Sequence, residues 1–351
     1  GKHKNYLDKK KLDYCLWRNI NFSSNKIKLK KIIEIYIKLF TYSKNIYITN
    51  LILKILILNE RNLSNFRKLS KLKCLILGHE ELTPLNIQVA ALISGIKVIS
   101  YQSRFQNSLP FHPFLFNCYF TSGRKLGDLV KINNLKLKQS KSISIGNYKK
   151  EQLELNKKKF FKEKTKIKKK YRYICSVWDY PSQLNWYFNG RESIGNYKRN
   201  KILIAETLLL AKSFPKVLFL IKSKNLNWTK LNYFNEIKSK IKKIKNIVIS
   251  NMPYIKAVNI SDLAYGNQTS AMDQLIYLNK PIVMRNYYKN FNDEIYSKKM
   301  ISYNYNDFYK KISYILKSLS VAKKKQTKTK NILFDIKTKK MSSEILKIIN
   351  V

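Results

Sequence analysis

Apolar residues recur at helical spacing in the N-terminal part of the chain. Ile48, Leu51, Ile52, Ile55 and Leu56 follow the i, i+3, i+4, i+7, i+8 pattern that places side chains on one face of a helix. The N-terminal third is therefore predicted to begin with amphipathic helices rather than strands.

From residue 71 onwards, short apolar runs alternate with turns and helical periods. A strand is predicted at 73–77 (KCLIL), followed by a loop at 78–84, a helix at 85–94 and a second strand at 96–101. This order predicts a β-α-β unit. Two more strands are predicted at 118–121 and 142–145.

The segment 148–171 is rich in lysine and poor in apolar residues, which is typical of a solvated helix or an interdomain linker. We therefore predict a domain boundary there. The N-terminal domain would span 1–150, a basic linker 151–172 and the C-terminal domain 173–351.

A second alternation of strands and helices follows this segment. Such a series predicts a parallel sheet covered by helices on both faces. With the first series, it predicts an α/β protein with two Rossmann-like domains. The predicted strands are 173–177, 217–221, 247–249, 262–265 and 281–284, and the predicted helices are 201–212, 231–244 and 270–278.

The C-terminal tail is predicted to contain a helix, a basic loop and a short final helix. The first helix would place Phe308, Ile312 and Ile315 on one face. The basic loop is predicted at 323–330 (KKKQTKTK), and the final helix ends near Ile349.

The charge of the chain is extreme for a folded protein. Its 351 residues include 70 Lys+Arg and 21 Asp+Glu, a formal net charge of +49, but 44% are hydrophobic. That apolar content excludes a disordered polycation. The excess charge favours a nucleic-acid partner, yet the abundance of Ile, Asn and Tyr is also what an A/T-rich coding sequence supplies. Charge alone therefore does not define the function.

The cysteines and histidines indicate no metal site and no disulfide framework. Cys15, Cys74, Cys118 and Cys175 stand far apart, which is typical of reduced thiols in a cytoplasmic protein. The three histidines are dispersed, and no cofactor is predicted. The most apolar stretch, 46–58, is shorter than a membrane span needs.

Ligands of open α/β sheets bind beyond the carboxyl ends of the strands, so the loops after the predicted strands are the candidate sites. The first loop holds His79, Glu80 and Glu81. An imidazole and two adjacent carboxylates can supply a general base or a nucleophile. The alternative is that the carboxylates only complement the positive end of the following helix.

The second candidate loop contains Asn267, Gln268, Thr269, Ser270 and Asp273, after a strand that ends at Tyr265-Gly266. Free backbone N–H groups at a helix start, with two hydroxyls, can hold a phosphate. The alternative is ordinary N-capping by Thr269 or Ser270.

The third candidate loop follows the apolar strand 217–221 and contains Lys222 and Lys224. A lysine at a buried strand end can present a compact charge to a diphosphate or a carboxylate. The alternative is that these are two unremarkable members of a lysine-rich chain.

Several common phosphate-binding and catalytic motifs are absent from the sequence. The chain has no GxGxxG fingerprint, no GxxxxGK[ST] loop and no GxSxG elbow. NAD-dependent enzymes, P-loop ATPases and α/β-hydrolases are therefore disfavoured.

The order of these motifs resembles that of bacterial surface-polysaccharide and capsule glycosyltransferases of the GT-B architecture, including the Kdo-transferase-like and CDP-glycerol-transferase-like groups. The resemblance covers roughly residues 71–287. It rests on LKCLILGHEE, on NIQVAALISGIKVISYQ ending at Gln102, on NCYFTSG and SISIGN, on FLIKSKN, and most of all on SDLAYGNQTSAMDQLIYLNKPIV. Ser103-Arg104 stands where the family has His-Gly, and Ser223 stands where it has Pro.

The resemblance implies two Rossmann-like domains facing a cleft and a metal-independent glycosyltransferase that builds capsule, O-antigen or lipopolysaccharide. It implies that a nucleotide-sugar donor binds the second domain and a glycan or lipid-linked glycan acceptor the first. The enzyme would be cytoplasmic or peripheral on an anionic inner membrane surface. The implied donor-binding residues are Lys222, Lys224, Asn267, Gln268, Thr269, Ser270 and Asp273, and the implied catalytic residues are His79, Glu80 and Glu81.

Two alternatives stay open at the level of sequence. A non-hydrolysing nucleotide-sugar epimerase has the same architecture and needs no separate acceptor. A basic nucleic-acid-binding protein would explain the net charge, although no nucleic-acid-binding motif is present.

Overall fold

The computed structural model describes most of the chain in two compact units. The described residues are 33–34, 36–38, 40–41, 46–69, 71–77, 85–102, 115–125, 141–180, 190–222, 229, 234–287, 296–335 and 341–349. The first unit runs to Ile99 and the second begins at Ser100. Strands β1 to β4 belong to a first sheet and strands β5 to β10 to a second.

The first unit contains α1 (Ile46–Lys68), β1 (Cys74–Leu77), α2 (Leu85–Ile93) and the start of β2 (Lys97–Tyr101). These elements confirm the predicted N-terminal helix and the β-α-β unit. Of the five residues predicted on one face of α1, Leu56 is 40% exposed, and the side chains of the other four lie outside the described part of the chain. Further along the helix, Leu63 and Phe66 are buried. In α2, Ala90 and Ala91 are buried because small side chains let the helix pack closely.

The second unit begins with the end of β2, followed by β3 (Cys118–Thr121) and β4 (Lys141–Ser144), which pair in parallel. The buried Gln102 ties these elements together. Its backbone N–H donates to the Phe120 carbonyl at 2.8 Å, and its side-chain Oε1 accepts from the Ser122 N–H at 3.1 Å. Gln102 therefore holds the turn after β3 in place.

The second sheet has six strands, all parallel, in the order β10-β9-β8-β5-β6-β7. The central strands are continuous apolar runs. This is the pattern expected of strands that are covered on both faces, since neither side of such a strand is exposed to water. The strands are β5 (Tyr173–Trp178), β6 (Val217–Lys222), β7 (Ile247–Ser250), β8 (Leu263–Gly266), β9 (Ile282–Arg285) and β10 (Ile301–Ser302).

Helices cover both faces of this sheet. Alternate residues of β6 belong to different cores: Leu218 and Leu220 pack on one side, and Phe219 and Ile221 on the other, as the two-residue period of a strand requires. The helices of the unit are α3 (Lys150–Lys159), α4 (Phe161–Lys168), α5 (Gly190–Ser213), α6 (Asn235–Lys242), α7 (Tyr254–Ile260), α8 (Ser270–Tyr277), α9 (Tyr305–Lys317), α10 (Leu319–Leu333) and α11 (Met341–Ile349).

Different helices cover the two faces, except that α10 contributes to both cores. The first core contains residues of α7 and α8, together with Leu153 of α3 and Leu333 of α10. The second core contains residues of α5, α6 and α9, together with Ala322 of α10. The predicted α/β class with parallel sheets is confirmed.

The lysine-rich segment that was predicted as a linker or solvated helix forms α3 and α4. Leu153 of α3 is fully buried, and α4 is fixed to the sheet by the buried carboxylate of Asp262. Lys164 lies 2.7 Å and Lys168 3.4 Å from that carboxylate, which also accepts a hydrogen bond from the Ile174 N–H at 3.1 Å. The proposed domain boundaries at 150 and 172 stay a prediction.

The Asp262 carboxylate is expected to stabilise the fold in a pH-dependent way. Burial by itself would raise its pKa, but Lys164, Lys168 and the Ile174 N–H together lower the pKa below its ordinary value. A carboxyl with a lowered folded-state pKa contributes stability above the unfolded pKa of about 3.9, and that stability is lost as the pH falls through the folded value.

We therefore expect Asp262→Asn to lower the free energy of unfolding by about 1–2 kcal/mol at pH 7, with a difference from wild type that shrinks below about pH 4. Urea unfolding between pH 3 and pH 8 measures this. As a matched control, Asp307→Asn breaks the more exposed pair with Lys311, and about 0.5 kcal/mol or less is expected there. An Asp262→Asn difference that stays constant down to pH 3 would contradict the argument.

The predicted basic loop at 323–330 is wrong, because these residues lie within helix α10. The helix buries only Ala322, Gln326 and Leu333. Because these residues are few and lysines stand between them, the sequence shows no clear apolar period here. The end of α10 returns to the turn after β3, where the Asp335 N–H donates to the Ser122 carbonyl at 3.0 Å.

Candidate nucleotide site

The carboxyl ends of the central strands of the second sheet lie side by side. Trp178, the last residue of β5, pairs with Lys222, the last of β6, and with Gly266, the last of β8. The chain changes direction here, since β6 and β7 lie on one side of β5 and the later strands on the other. Open parallel sheets bind ligands at such a switch point, so these strand ends form the candidate site.

Lys222 is a nearly buried cation at this edge. Its side chain is 8% exposed and Asp179, the residue after β5, is 6% exposed. Burial lowers the pKa of the Lys222 ammonium from its ordinary value, and the nearby Asp179 carboxylate opposes that shift. A positive charge in such a poorly hydrated position interacts strongly with an anion that reaches it.

Gly266 sets the path of the chain out of β8. Its φ is +127°, and a Cβ at this position would lie 2.0 Å from the Trp178 carbonyl oxygen. The next residue, Asn267, donates its backbone N–H to the same carbonyl at 2.8 Å. Only glycine fits there, and the close approach directs residues 267–270 across the end of β5.

Thr269 occupies the N-cap position of α8, but its hydroxyl does not cap the helix. The backbone of Thr269 is extended and its side chain makes no capping hydrogen bond. Among the described residues, its Oγ1 is buried without a hydrogen-bond partner. A buried hydroxyl without a partner is costly, and the first-turn N–H groups of an α-helix also lack intrahelical acceptors. An anion at this helix start would satisfy both.

Asp273 is buried in the first turn of α8 and accepts a hydrogen bond from the Tyr296 hydroxyl at 2.5 Å. Burial, and then the Asp273 carboxylate, raise the pKa of Tyr296 well above its ordinary value, while Gln268 hydrogen-bonds to the same phenol and lowers it. Asp273 and Gln268 therefore both contact Tyr296, which fixes the start of α8.

A buried ion pair supports the neighbouring strand end. Arg285, the last residue of β9, donates from Nη2 to Glu206 Oε1 at 2.8 Å and from Nε to Glu206 Oε2 at 3.0 Å. The Arg285 guanidinium lies 4.3 Å from the ring centroid of Tyr287, and the Tyr180 hydroxyl donates to the Arg285 carbonyl. The strand-end motifs do not indicate this pair. The one sequence feature that points to it is Glu206, a single carboxylate within the apolar run of the predicted helix 201–212.

The remaining predicted site residues fall outside the described part of the chain. These are His79, Glu80, Glu81 and Lys224, so their roles stay predictions. Within the described residues, no group of three or more His, Cys, Asp or Glu side chains is placed to hold a metal ion. The helices described here include none that is long and apolar enough to span a membrane.

A surface cavity of about 450 Å³ lies apart from the candidate site, between the end of α5 and the start of α9. None of the predicted donor-binding residues lines it. Its lining residues are Leu209, Lys212, Ser213, Tyr305, Asn306, Tyr309 and Lys310.

Comparison with solved structures relates the fold to nucleotide-sugar enzymes. The UDP-GlcNAc 2-epimerase of Neisseria meningitidis, bound to UDP-GlcNAc, is 12% identical with a TM-score of 0.55 over 84% of this chain and 81% of that one. The UDP-GlcNAc 2-epimerase of Methanocaldococcus jannaschii is 11% identical with a TM-score of 0.51 over 99% and 89%. S. aureus MnaA with UDP is 11% identical with a TM-score of 0.50 over 98% and 83%.

No family model and no curated protein sequence matches the chain. The structural similarity establishes the fold, which is the GT-B-like parallel α/β fold predicted from the order of the strand-end motifs.

Proposed function

We propose that this protein is a nucleotide-sugar enzyme that binds its substrate at the carboxyl edge of the second sheet. The observation that carries the proposal is the helix start at Thr269, where a buried hydroxyl without a partner adjoins the turn that Gly266 imposes. Three proteins of similar fold, described as binding or acting on UDP-GlcNAc or UDP, support a nucleoside diphosphate as the ligand.

In this proposal, the diphosphate accepts hydrogen bonds from the Thr269 hydroxyl and from the first-turn N–H groups of α8. Lys222 neutralises part of its charge, and Lys224 is a further candidate for that role. Donors fixed before the reaction stabilise negative charge that develops on a departing diphosphate. Chemistry at the sugar would fall to His79, Glu80 and Glu81, an imidazole and two carboxylates able to transfer protons.

We propose that the reaction is epimerisation of the nucleotide sugar. The similar structures named above are described as 2-epimerases or bind UDP, and they favour this reaction over the transfer of Kdo or glycerol phosphate. Glycosyl transfer to a surface glycan is the second candidate, favoured by the resemblance of residues 261–283 to the donor-binding segment of capsule glycosyltransferases.

Nucleotide binding is expected to raise the stability of the protein, and Lys222 to contribute to that binding. Thermal unfolding with UDP, UDP-GlcNAc, CDP, CMP and GDP tests this, because a ligand at about 100 times its Kd stabilises by about 2.7 kcal/mol. We expect Lys222→Met to weaken binding of the preferred nucleotide by about 10-fold or more, since a charged hydrogen bond contributes about 1.5–3 kcal/mol.

The matched control is Lys216→Met, which changes an exposed lysine just before the amino end of β6. It should leave the Kd unchanged. Equal affinity of wild type and the Lys222→Met variant would remove Lys222 from the site, and no response to any nucleotide would contradict the proposed function.

A further inference from the structure

Three helices of the second unit form a strongly basic surface, here called the basic face. It consists of α3, α4 and α10, which together contain thirteen lysines and three glutamates. No acidic residue occurs in α10. A surface of this composition repels itself unless it meets an anionic partner.

Three lysines of the basic face act on the charge of Lys280, which lies two residues before β9. The Lys280 ammonium donates to the carbonyls of Val258 and Asn259 at 2.6 Å each. Burial lowers its pKa well below the ordinary value, and Lys164, Lys323 and Lys157 lower it further while Asp262 opposes them. One lysine from each helix therefore acts on this single group.

Tyr277, the last residue of α8, packs against the end of α10. The Lys330 ammonium lies 4.8 Å from the centroid of the Tyr277 ring, and that ring packs edge-on against Phe334 at 5.3 Å. Lys150 and Glu154 of α3 act on the charge of Lys330. Leu153 of α3, Ile167 of α4 and Leu333 of α10 all pack in one apolar core, so the three helices contact the same face of the second sheet.

Internal ion pairs neutralise only a small part of this charge. Lys164 and Lys168 are paired with Asp262, and Glu163 is paired with Lys256 of α7. Several other lysines are exposed, and none of them takes part in an ion pair with another described residue. These are Lys158, Lys162, Lys166, Lys324 and Lys328.

The same helices expose large apolar side chains among the lysines. On α10, Val321 and Ile332 are 44% and 57% exposed, and helical spacing aligns them with the exposed Lys328. On α3, Leu155 is 53% exposed and precedes Lys158 by three residues. Lysines interspersed with protruding aliphatic residues are typical of helices that lie in a membrane interface.

We propose that the basic face docks on a membrane surface that contains anionic lipids. Lysines near such a surface each strengthen binding by about fivefold, and the aliphatic side chains insert between the headgroups. A nucleic-acid backbone offers no apolar region into which these aliphatic side chains could insert. They therefore favour a bilayer over a polynucleotide as the partner.

The basic face and the candidate nucleotide site use different parts of the second unit. The basic face consists of α3, α4 and α10, whereas the candidate nucleotide site lies at the carboxyl edge of the second sheet. None of the nucleotide-site residues belongs to the basic face, so membrane docking and the proposed function are tested independently.

Vesicle co-sedimentation tests the proposal with the full chain. Vesicles of phosphatidylcholine alone are compared with vesicles that contain about 30% phosphatidylglycerol. Each is measured at about 0.1 M and at about 0.5 M salt, because salt screens the attraction between exposed charges. We expect binding only to the anionic vesicles, with a steep loss at the higher salt. In the variant Lys158→Gln/Lys162→Gln/Lys324→Gln/Lys328→Gln, binding should fall by about 100-fold or more, since each lysine contributes about fivefold.

The matched control replaces four exposed lysines on the helices that cover the other face of the sheet: Lys212→Gln, Lys242→Gln and Lys317→Gln, with Lys245→Gln just after α6. It has the same net charge and should retain most of the binding. A further variant, Leu155→Ser/Ile332→Ser, should weaken binding at both salt concentrations. Equal losses in the two lysine variants, or binding to a duplex oligonucleotide but to neither vesicle, would overturn the proposal.

Discussion

Replacing Gly266 by alanine is expected to destabilise the protein by about 3 kcal/mol or more and to abolish nucleotide binding. Two costs add at this position. The φ of +127° is unfavourable for any residue with a Cβ, at about 1–3 kcal/mol, and the new Cβ would lie 2.0 Å from the Trp178 carbonyl oxygen. Because that oxygen belongs to the backbone of the neighbouring strand, β5 and β8 must separate to make room. Urea unfolding and nucleotide titration measure both effects.

Gly95→Ala provides the control that separates the two costs. Gly95 also has a positive φ, of +74°, but a Cβ there meets no atom within 4 Å. This variant should lose only the conformational part, about 1 kcal/mol, and keep its affinity for nucleotide. Equal destabilisation by the two substitutions would show that the contact with Trp178 does not constrain the turn.

Breaking the buried pair of Arg285 and Glu206 from one side is the second large effect. We expect Arg285→Met to lower the free energy of unfolding by about 3–5 kcal/mol, because it leaves an uncompensated carboxylate in a buried site. Glu206 is 6% exposed and Arg285 4% exposed, so water would not solvate the remaining charge. Urea unfolding of Arg285→Met and Glu206→Met measures each half of the pair.

The double variant Arg285→Met/Glu206→Met distinguishes a charge effect from lost packing. Two apolar residues of similar length often replace a buried ion pair with little cost, so most of the stability should return. The interaction energy from the double-mutant cycle should then be large. A double variant as unstable as the sum of the two single variants would contradict this account of the pair.

The strands of the second sheet could be predicted because each is a short apolar run between polar turns. Residues 217–221 form such a run, and their burial on both faces is the cause of their uniform apolarity. Helix α10 was missed for the opposite reason. Its few buried residues, such as Ala322 and Gln326, do not form a strong apolar period, and its lysines are typical of a loop.

The strand-end loops were predictable, but the partners of their side chains were not. The sequence indicates that a helix begins near Thr269. It does not indicate that the Thr269 hydroxyl lacks a partner, because that depends on how Gly266 directs the chain. The contact of Asp273 with Tyr296 and the pair of Glu206 with Arg285 join residues far apart in sequence. Such pairings depend on how distant segments pack together in the fold, which local patterns do not encode.

Product analysis with a nucleotide sugar alone tests the central claim most directly. The protein is incubated with UDP-GlcNAc, without any acceptor, and the sugar is examined by proton NMR for inversion at C2. We predict partial conversion to the C2 epimer by wild type, and a strong loss of conversion in the Lys222→Met variant but not in Lys216→Met. Unchanged UDP-GlcNAc, from a protein that binds the nucleotide and transfers the sugar once a glycan acceptor is added, would contradict epimerisation and favour the glycosyltransferase.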